Sequence, residues 1–223
     1  MRMIPGSLGA NVIEAPTLGD GWLAALGLVL DTGLWTDDGA ERLLEVLPLA
    51  MRIATVDEDD PFVRAHADED RIALMLEKHR SLAVLPQYKV SYGRLLYDNH
   101  DVDQVAWAAQ RIVEKRETKS ATIGLTIPGG AEQSCLSLLD FKLRSEAGRE
   151  ALAMTAVYRS QNVWGSQPGN VLALREVQEQ VAGKVGVPMG RLDLFALSAH
   201  IYERDLGRAR AARDAGEAAR AAR

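Results

Sequence analysis

Arg159 and Ser160 set a guanidinium beside a hydroxyl, and Asn170 follows eleven residues later. A guanidinium makes two parallel charge-assisted hydrogen bonds, so the pair suits a phosphate. Asn170 can donate and accept at once, and it falls where a helix pattern begins. Upstream, Cys135 follows the Pro128-Gly129-Gly130 turn and opens a strand pattern. As a thiolate it would be a nucleophile; taken alone, a single cysteine is more often a small buried hydrophobe. An Arg at a strand end is usually a solvated surface charge. His66, His79, His100 and His200 have no metal-ligand spacing, so a zinc site is not expected. His200 and Tyr202 lie two apart on a strand pattern and so face the same side.

The 223 residues leave room for one sizeable core or at most two small domains. Hydrophobic residues make up 47% and charged residues 26%, as in an ordinary soluble enzyme or binding domain. A formal net charge of −5 gives no global basic field, which argues against a nucleic-acid partner. The single cysteine excludes an internal disulfide and fits a reducing compartment. No apolar run approaches the roughly 18 residues that would span a membrane, and the first six residues carry no apolar leader core. The expectation is a cytoplasmic protein without a membrane segment.

The elements that must position these residues follow from periodicity. Residues 11–15 suit a short strand. Residues 22–30 suit an apolar helix with Asp20 as its cap and Gly33 as its stop. Residues 35–39 look like an acidic turn, and 42–53 like one strand that Pro48 bends or places at an edge. Residues 68–82 have helical spacing with Asp68 as cap, and 102–112 suit an amphipathic helix. Strands are expected over 121–127, 136–143 and 151–158, the last two joined by a hairpin at 145–149. A helix over 171–185 stops near Gly186, a strand covers 192–198, and His200 to Tyr202 follow. The Ala/Arg-rich residues 206–223 favour helix but have little to bury, so they are expected to fray from a domain spanning 1–205. The fold class is α+β.

Cys135, then Arg159-Ser160, then Asn170, then His200-Ile201-Tyr202, in this order and spacing, resembles the thymidylate synthase family, which includes the pyrimidine nucleotide hydroxymethylases. The likeness covers residues 121–205 well and the earlier part more thinly, through Tyr92-Gly93 and Asp60-Pro61-Phe62. It implies a mixed sheet packed with helices, one sheet face forming a homodimer interface. It implies one-carbon transfer from 5,10-methylenetetrahydrofolate to C5 of a pyrimidine nucleoside monophosphate, as methyl or hydroxymethyl. Cys135 would add to C6 of the ring, with Arg159 lowering the thiol pKa and, with Ser160, gripping the phosphate. Asn170 would read the base edge, His200 and Tyr202 would hold the sugar, and Tyr92 would line the pocket. An amide at position 170 suits uracil, where the family's deoxycytidylate hydroxymethylases carry Asp.

The chain also departs from the family pattern. Met75 falls where the family has its catalytic glutamate, leaving Glu69 and Glu77 as nearby acids and Glu77 as the chosen substitute. Asn162 replaces an aspartate that helps hold the folate. Lys119-Ser120 replaces two arginines that the partner subunit gives to the phosphate. Ser134-Cys135-Leu136 replaces Pro-Cys-His, and Ser198 replaces an aspartate. These departures leave a second reading, a catalytically reduced homologue that binds a pyrimidine nucleotide without turnover.

Overall fold

The computed structural model describes residues 11–39 and 41–222; the first six residues, considered above for a leader, lie outside them. Strand β1 (Val12–Thr17) runs directly into helix α1 (Leu18–Thr32). The cap is Thr17, whose hydroxyl accepts the Asp20 N–H at 3.1 Å, and not Asp20 as expected. Asp20 sits inside the first turn, where its charge meets the positive end of the helix. Gly33 ends α1 as its position suggested.

The single strand expected over 42–53 is two strands, β3 (Glu41–Val46) and β4 (Leu49–Thr55), in different sheets. Pro48 lies between them and has no N–H to give a ladder, so the chain changes sheets there. The expected acidic turn at 35–39 is largely strand β2 (Leu34–Asp38), antiparallel to β3. Asp37 lies opposite Arg42, with their charges 3.7 Å apart, and the Arg42 guanidinium lies over the Trp35 ring. Cross-strand charge pairing thus holds an acidic segment in a ladder.

Four helices fill the next stretch: α2 (Pro61–His66), α3 (Glu69–Arg80), α4 (Tyr92–Tyr97) and α5 (Gln104–Glu114). Asp68 caps α3 as expected. Buried Asp60 caps α2 and also accepts the Gly19 N–H at 2.8 Å, which ties α2 to α1. Strand β5 (Thr122–Gly124) is shorter than expected. Strands β6 (Leu136–Glu146) and β7 (Arg149–Tyr158) form the hairpin, with Gly148 at φ 77° in its turn. After β8 (Gln161–Asn162) comes α6 (Gln167–Val185), which starts earlier than expected because Pro168 suits a first helical turn. Left-handed Gly186 stops it. Strands β9 (Met189–Ala196) and β10 (Ala199–Tyr202) lead through one 3-10 turn to α7 (Leu206–Ala221).

The strands form a mixed six-stranded sheet, β1-β4-β9-β7-β6-β5, and a four-stranded sheet, β2-β3-β10-β8. Leu49, Met51, Ile53, Leu192, Leu194 and Met154 point from the larger sheet into the core beneath α1 and α6. The molecule is α+β. Helix α7 does not fray: Leu206, Ala209, Ala212 and Gly216 are buried, and Arg213 and Arg220 pair with Asp31 and Asp20 of α1. Small alanines every third or fourth residue let it lie close against α1, so it has more to bury than its composition suggests.

Candidate active site

Cys135 is half-buried at the start of β6 and lines a cavity of about 220 Å³ with Lys78, Tyr88, Tyr92 and Gln133. The Tyr92 hydroxyl oxygen accepts the backbone N–H groups of Cys135 at 3.2 Å and Leu136 at 3.3 Å. Burial pushes the Tyr92 hydroxyl well above the usual tyrosine pKa, so it keeps its proton and remains a donor at the thiol. Tyr92 is placed by its neighbours. Ser91 caps α4 and donates its hydroxyl to the Ser81 carbonyl at 2.5 Å. A Cβ on Gly93 would lie 2.3 Å from that same carbonyl, so only glycine lets α4 approach the end of α3 this closely.

Arg159 follows β7 and donates through Nε to the Ser134 carbonyl at 3.1 Å and through Nη2 to the Gln133 carbonyl at 3.0 Å. Its backbone N–H donates to the Cys135 carbonyl at 2.8 Å. One edge of the guanidinium therefore fixes the loop before the nucleophile, and the exposed remainder faces solvent. Ser160 is half-buried beside it.

Asn170 lies in the first turn of α6, buried, with Nδ2 donating to Gln161 Oε1 at 3.5 Å. Asn170 Oδ1 and Gln161 Nε2 are buried without partners, as is His200 Nδ1. An orphaned buried polar atom costs free energy unless a ligand or water supplies its partner. Three such atoms occur among residues joined through β8 and β10, where His200 lies opposite Asn162. Burial lowers the His200 pKa and keeps its ring neutral. The His200 and Tyr202 rings meet edge to face at 5.0 Å, as two residues on one strand face should. The Tyr202 hydroxyl donates to Asp38 of β2 at 3.1 Å. Asn162 accepts the Gly165 N–H at 2.8 Å, which leaves its amide NH2 for a ligand. Trp22 of α1 donates to the Val163 carbonyl at 2.8 Å and holds this loop against the core.

Two expected site residues are not brought here. Glu77 is exposed and does not line the Cys135 cavity. Two residues along a helix turn the side chain through about 200°, so Glu77 points away from the face that Met75 occupies. Met75 itself is buried against Gly169 of α6, beside Asn170. Lys119 is exposed, and the neighbouring Ala121 carbonyl accepts the Phe141 N–H, five residues beyond Leu136 and roughly 17 Å along β6. Within this chain it does not join the site.

The structure adds residues that the sequence pattern did not single out. Lys78 is 8% exposed, and its ammonium lies 3.7 Å from the Tyr88 ring centre and 3.9 Å from that of Tyr92. The signal was its spacing: it is three residues beyond Met75, on the same helix face. Buried Gln161 gave no signal beyond its place next to Ser160. A second cavity, of about 420 Å³, shares Lys89 and Val90 with the first and is lined by Leu95, Ile127, Arg94 and His100. Among the described residues no cluster of His, Cys, Asp and Glu could hold a metal ion, and no helix is long and apolar enough to cross a membrane.

Comparison with known proteins gives the chain its relatives. It is 28% identical over 201 residues to a protein of Methanosarcina mazei named "Putative thymidylate synthase", covering 87% of this chain and 91% of that one. Proteins of the same name from Methanopyrus kandleri and Methanothermobacter marburgensis are 32% identical over 152 residues and 36% identical over 117 residues. These cover 66% and 51% of each chain respectively. No family model matches the chain. Relatives at 26–36% identity, each named "Putative thymidylate synthase", are consistent with a divergent member of the thymidylate synthase family.

Proposed function

We propose that this protein transfers a one-carbon unit from 5,10-methylenetetrahydrofolate to C5 of a pyrimidine nucleoside monophosphate, with uracil as the favoured base. The observation that carries this reading is the set of unpartnered buried polar atoms on Gln161, Asn170 and His200, with Gln161 two residues after Arg159, whose backbone N–H donates to the Cys135 carbonyl. In the orientation found, Asn170 Oδ1 accepts and Gln161 Nε2 donates. That matches the N3–H and O4 of uracil, and cytosine presents the reverse.

Cys135 adds to C6 of the ring, and C5 becomes the nucleophile. Arg159 and Ser160 bind the phosphate while Arg159 keeps the loop before Cys135 in place. His200 and Tyr202 hold the sugar. The 420 Å³ cavity suits a folate, since Leu95 and Ile127 give an apolar wall and Arg94 supplies a cation for its acidic tail, with Asp98 and Asp101 also on the lining. Asn162 would add an amide donor to the pterin. When bound, the folate supplies a one-carbon unit at the oxidation level of formaldehyde. A hydroxymethylated product would take up a water, and a methylated one would instead require a hydride from the bound folate.

A homodimer is part of the proposal. One face of the six-stranded sheet presents an apolar row, Val12, Ala50, Phe195, Val157 and Leu138, paired strand to strand. Phe195 is 44% exposed there. A second copy on this face would bury that row and let Lys119 reach the phosphate site across the interface.

Met75 favours the second reading, a homologue that binds the nucleotide without turnover. It places a thioether beside Asn170 where a carboxylate would relay protons. One assay separates the two. dUMP, UMP, dCMP and CMP carrying tritium at C5 are incubated with protein and methylenetetrahydrofolate, and tritium release and product mass are followed. Release from a uracil nucleotide is expected, abolished in Cys135→Ala. Folded protein that releases no tritium from any of the four would sink the enzyme reading.

A further inference from the structure

We propose that Lys78 is the base that takes the proton of the Cys135 thiol as the sulfur adds to its substrate. The step on a pyrimidine ring rests on the function proposed above; the pairing of amine and thiol does not.

Lys78 and Cys135 open on the same cavity and both meet Tyr92, the amine at its ring face and Cys135 through a backbone N–H on its hydroxyl. A lysine this buried, with no hydrogen bond or ion pair among the described residues, needs a reason to be there. Burial lowers its pKa to about 8, so a fraction is unprotonated near neutral pH, and a negative charge on Cys135 favours its protonated form. Tyr88 and Tyr92 receive the ammonium on their ring faces once it forms.

The other candidates are engaged elsewhere. Arg159 is bound to two carbonyls, and a guanidinium does not act as a base at these pH values. Lys89 is paired with Glu132, the carboxylate that lines this cavity. His79, next to Lys78, holds the Met75 carbonyl through Nδ1 at 2.8 Å and does not line the cavity. The titratable groups around Lys78 are therefore His79 on its own helix, Tyr88 and Lys89 on the following loop, Tyr92 on α4, and Glu132 and Cys135 before β6. Arg71, two turns before Lys78 on the same face of α3, acts on Tyr88.

In the step itself, the S–H proton passes to Nζ and makes an ammonium. The sulfur electron pair forms the S–C6 bond, and the C5=C6 π pair moves toward C5 and O4. When sulfur later leaves with its bonding pair, the ammonium returns the proton. Lys78 thus has a different position and a different task from the carboxylate that Met75 replaces.

The single cysteine makes the test direct. Iodoacetamide labelling of Cys135, followed by mass across pH 5 to 10, reads thiolate formation without any substrate. The unaltered protein supplies the reference midpoint and rate. Lys78→Met should raise the midpoint and slow labelling at pH 7 at least tenfold, while melting at the same or a higher temperature, because an amine has left the core. Lys78→Arg keeps the charge, so it should label quickly yet release no tritium from a nucleotide substrate. Labelling of Lys78→Met with an unchanged midpoint and rate would overturn the proposal, as would full turnover by Lys78→Arg. If Lys78→Met does not fold, Lys78→Gln carries the same expectation. A lysine-dependent labelling profile without tritium release from any nucleotide would leave the amine–thiol pair standing and remove the proposed enzymatic function.

Discussion

His79 carries an imidazole into the core, 1% exposed, with Nδ1 on the Met75 carbonyl, its Nε2 unpartnered and its ring edge against Tyr92 at 5.0 Å. Burial lowers its pKa from the ordinary 6.5 to about 4. The unfolded chain therefore binds a proton between these values that the folded chain refuses, and stability rises with pH across that window. The contribution is fully present above about pH 6.5 and is lost as pH falls toward 4. A difference of this size is worth on the order of 3 kcal/mol. Urea unfolding of His79→Leu should show a flatter pH dependence than the unaltered protein between pH 4 and 6.5. Equal slopes for the two proteins would remove His79 as the source. Next to it, Lys78 points into the Cys135 cavity, so two adjacent residues of α3 divide between core and site.

At the scale of elements, the site depends on how closely α3 approaches α6 and α4. A Cβ at Gly169 would lie 2.8 Å from the Met75 Cβ and 3.0 Å from the Ile72 Cα, atoms that cannot swing aside. Gly169→Ala should force the helices apart and cost about 1–3 kcal/mol. Because Asn170 is the next residue, nucleotide affinity measured by calorimetry should fall with it. A Cβ at Gly183, on the same helix, would meet nothing within 4 Å. Gly183→Ala should stabilise the protein by up to about 1 kcal/mol through helix propensity alone. Equal effects at the two glycines would contradict the close-approach explanation. Helix α7 acts similarly on the other flank, where Gly216 meets Leu23 and Phe62.

For the whole molecule, the decisive surface is the sheet face left free by the helices. Its apolar row across β1, β4, β9, β7 and β6 is followed by a polar row in which Arg52 pairs with Asp193 at 2.7 Å and Arg191 joins Asp193 at 3.1 Å. A second copy would cover both rows. Sedimentation equilibrium is expected to give a dimer, and Phe195→Asp, which puts a charge into the apolar row, a folded monomer. That monomer should also lose nucleotide turnover if Lys119 completes the phosphate site across the interface. An unaltered protein that sediments as a monomer at micromolar concentration would remove the homodimer.

Some of this was fixed locally, and so was legible in the chain. The hairpin of β6 and β7, the cap at Asp68, the stops at Gly33 and Gly186, and the shared face of His200 and Tyr202 depend on neighbours a few residues away. The order of Cys135, Arg159, Asn170 and His200 carried the family for the same reason, since each stands at an element end that local pattern marks. Other features depend on partners far off in sequence. The split of 42–53 between two sheets needed β9 and β10, and the docking of α7 needed α1. Glu77 and Lys78 are adjacent charged residues that no local rule tells apart. Packing of α3 against α4 turned Lys78 inward beside Tyr92 and left Glu77 in water, and that tertiary choice decides what chemistry Cys135 meets.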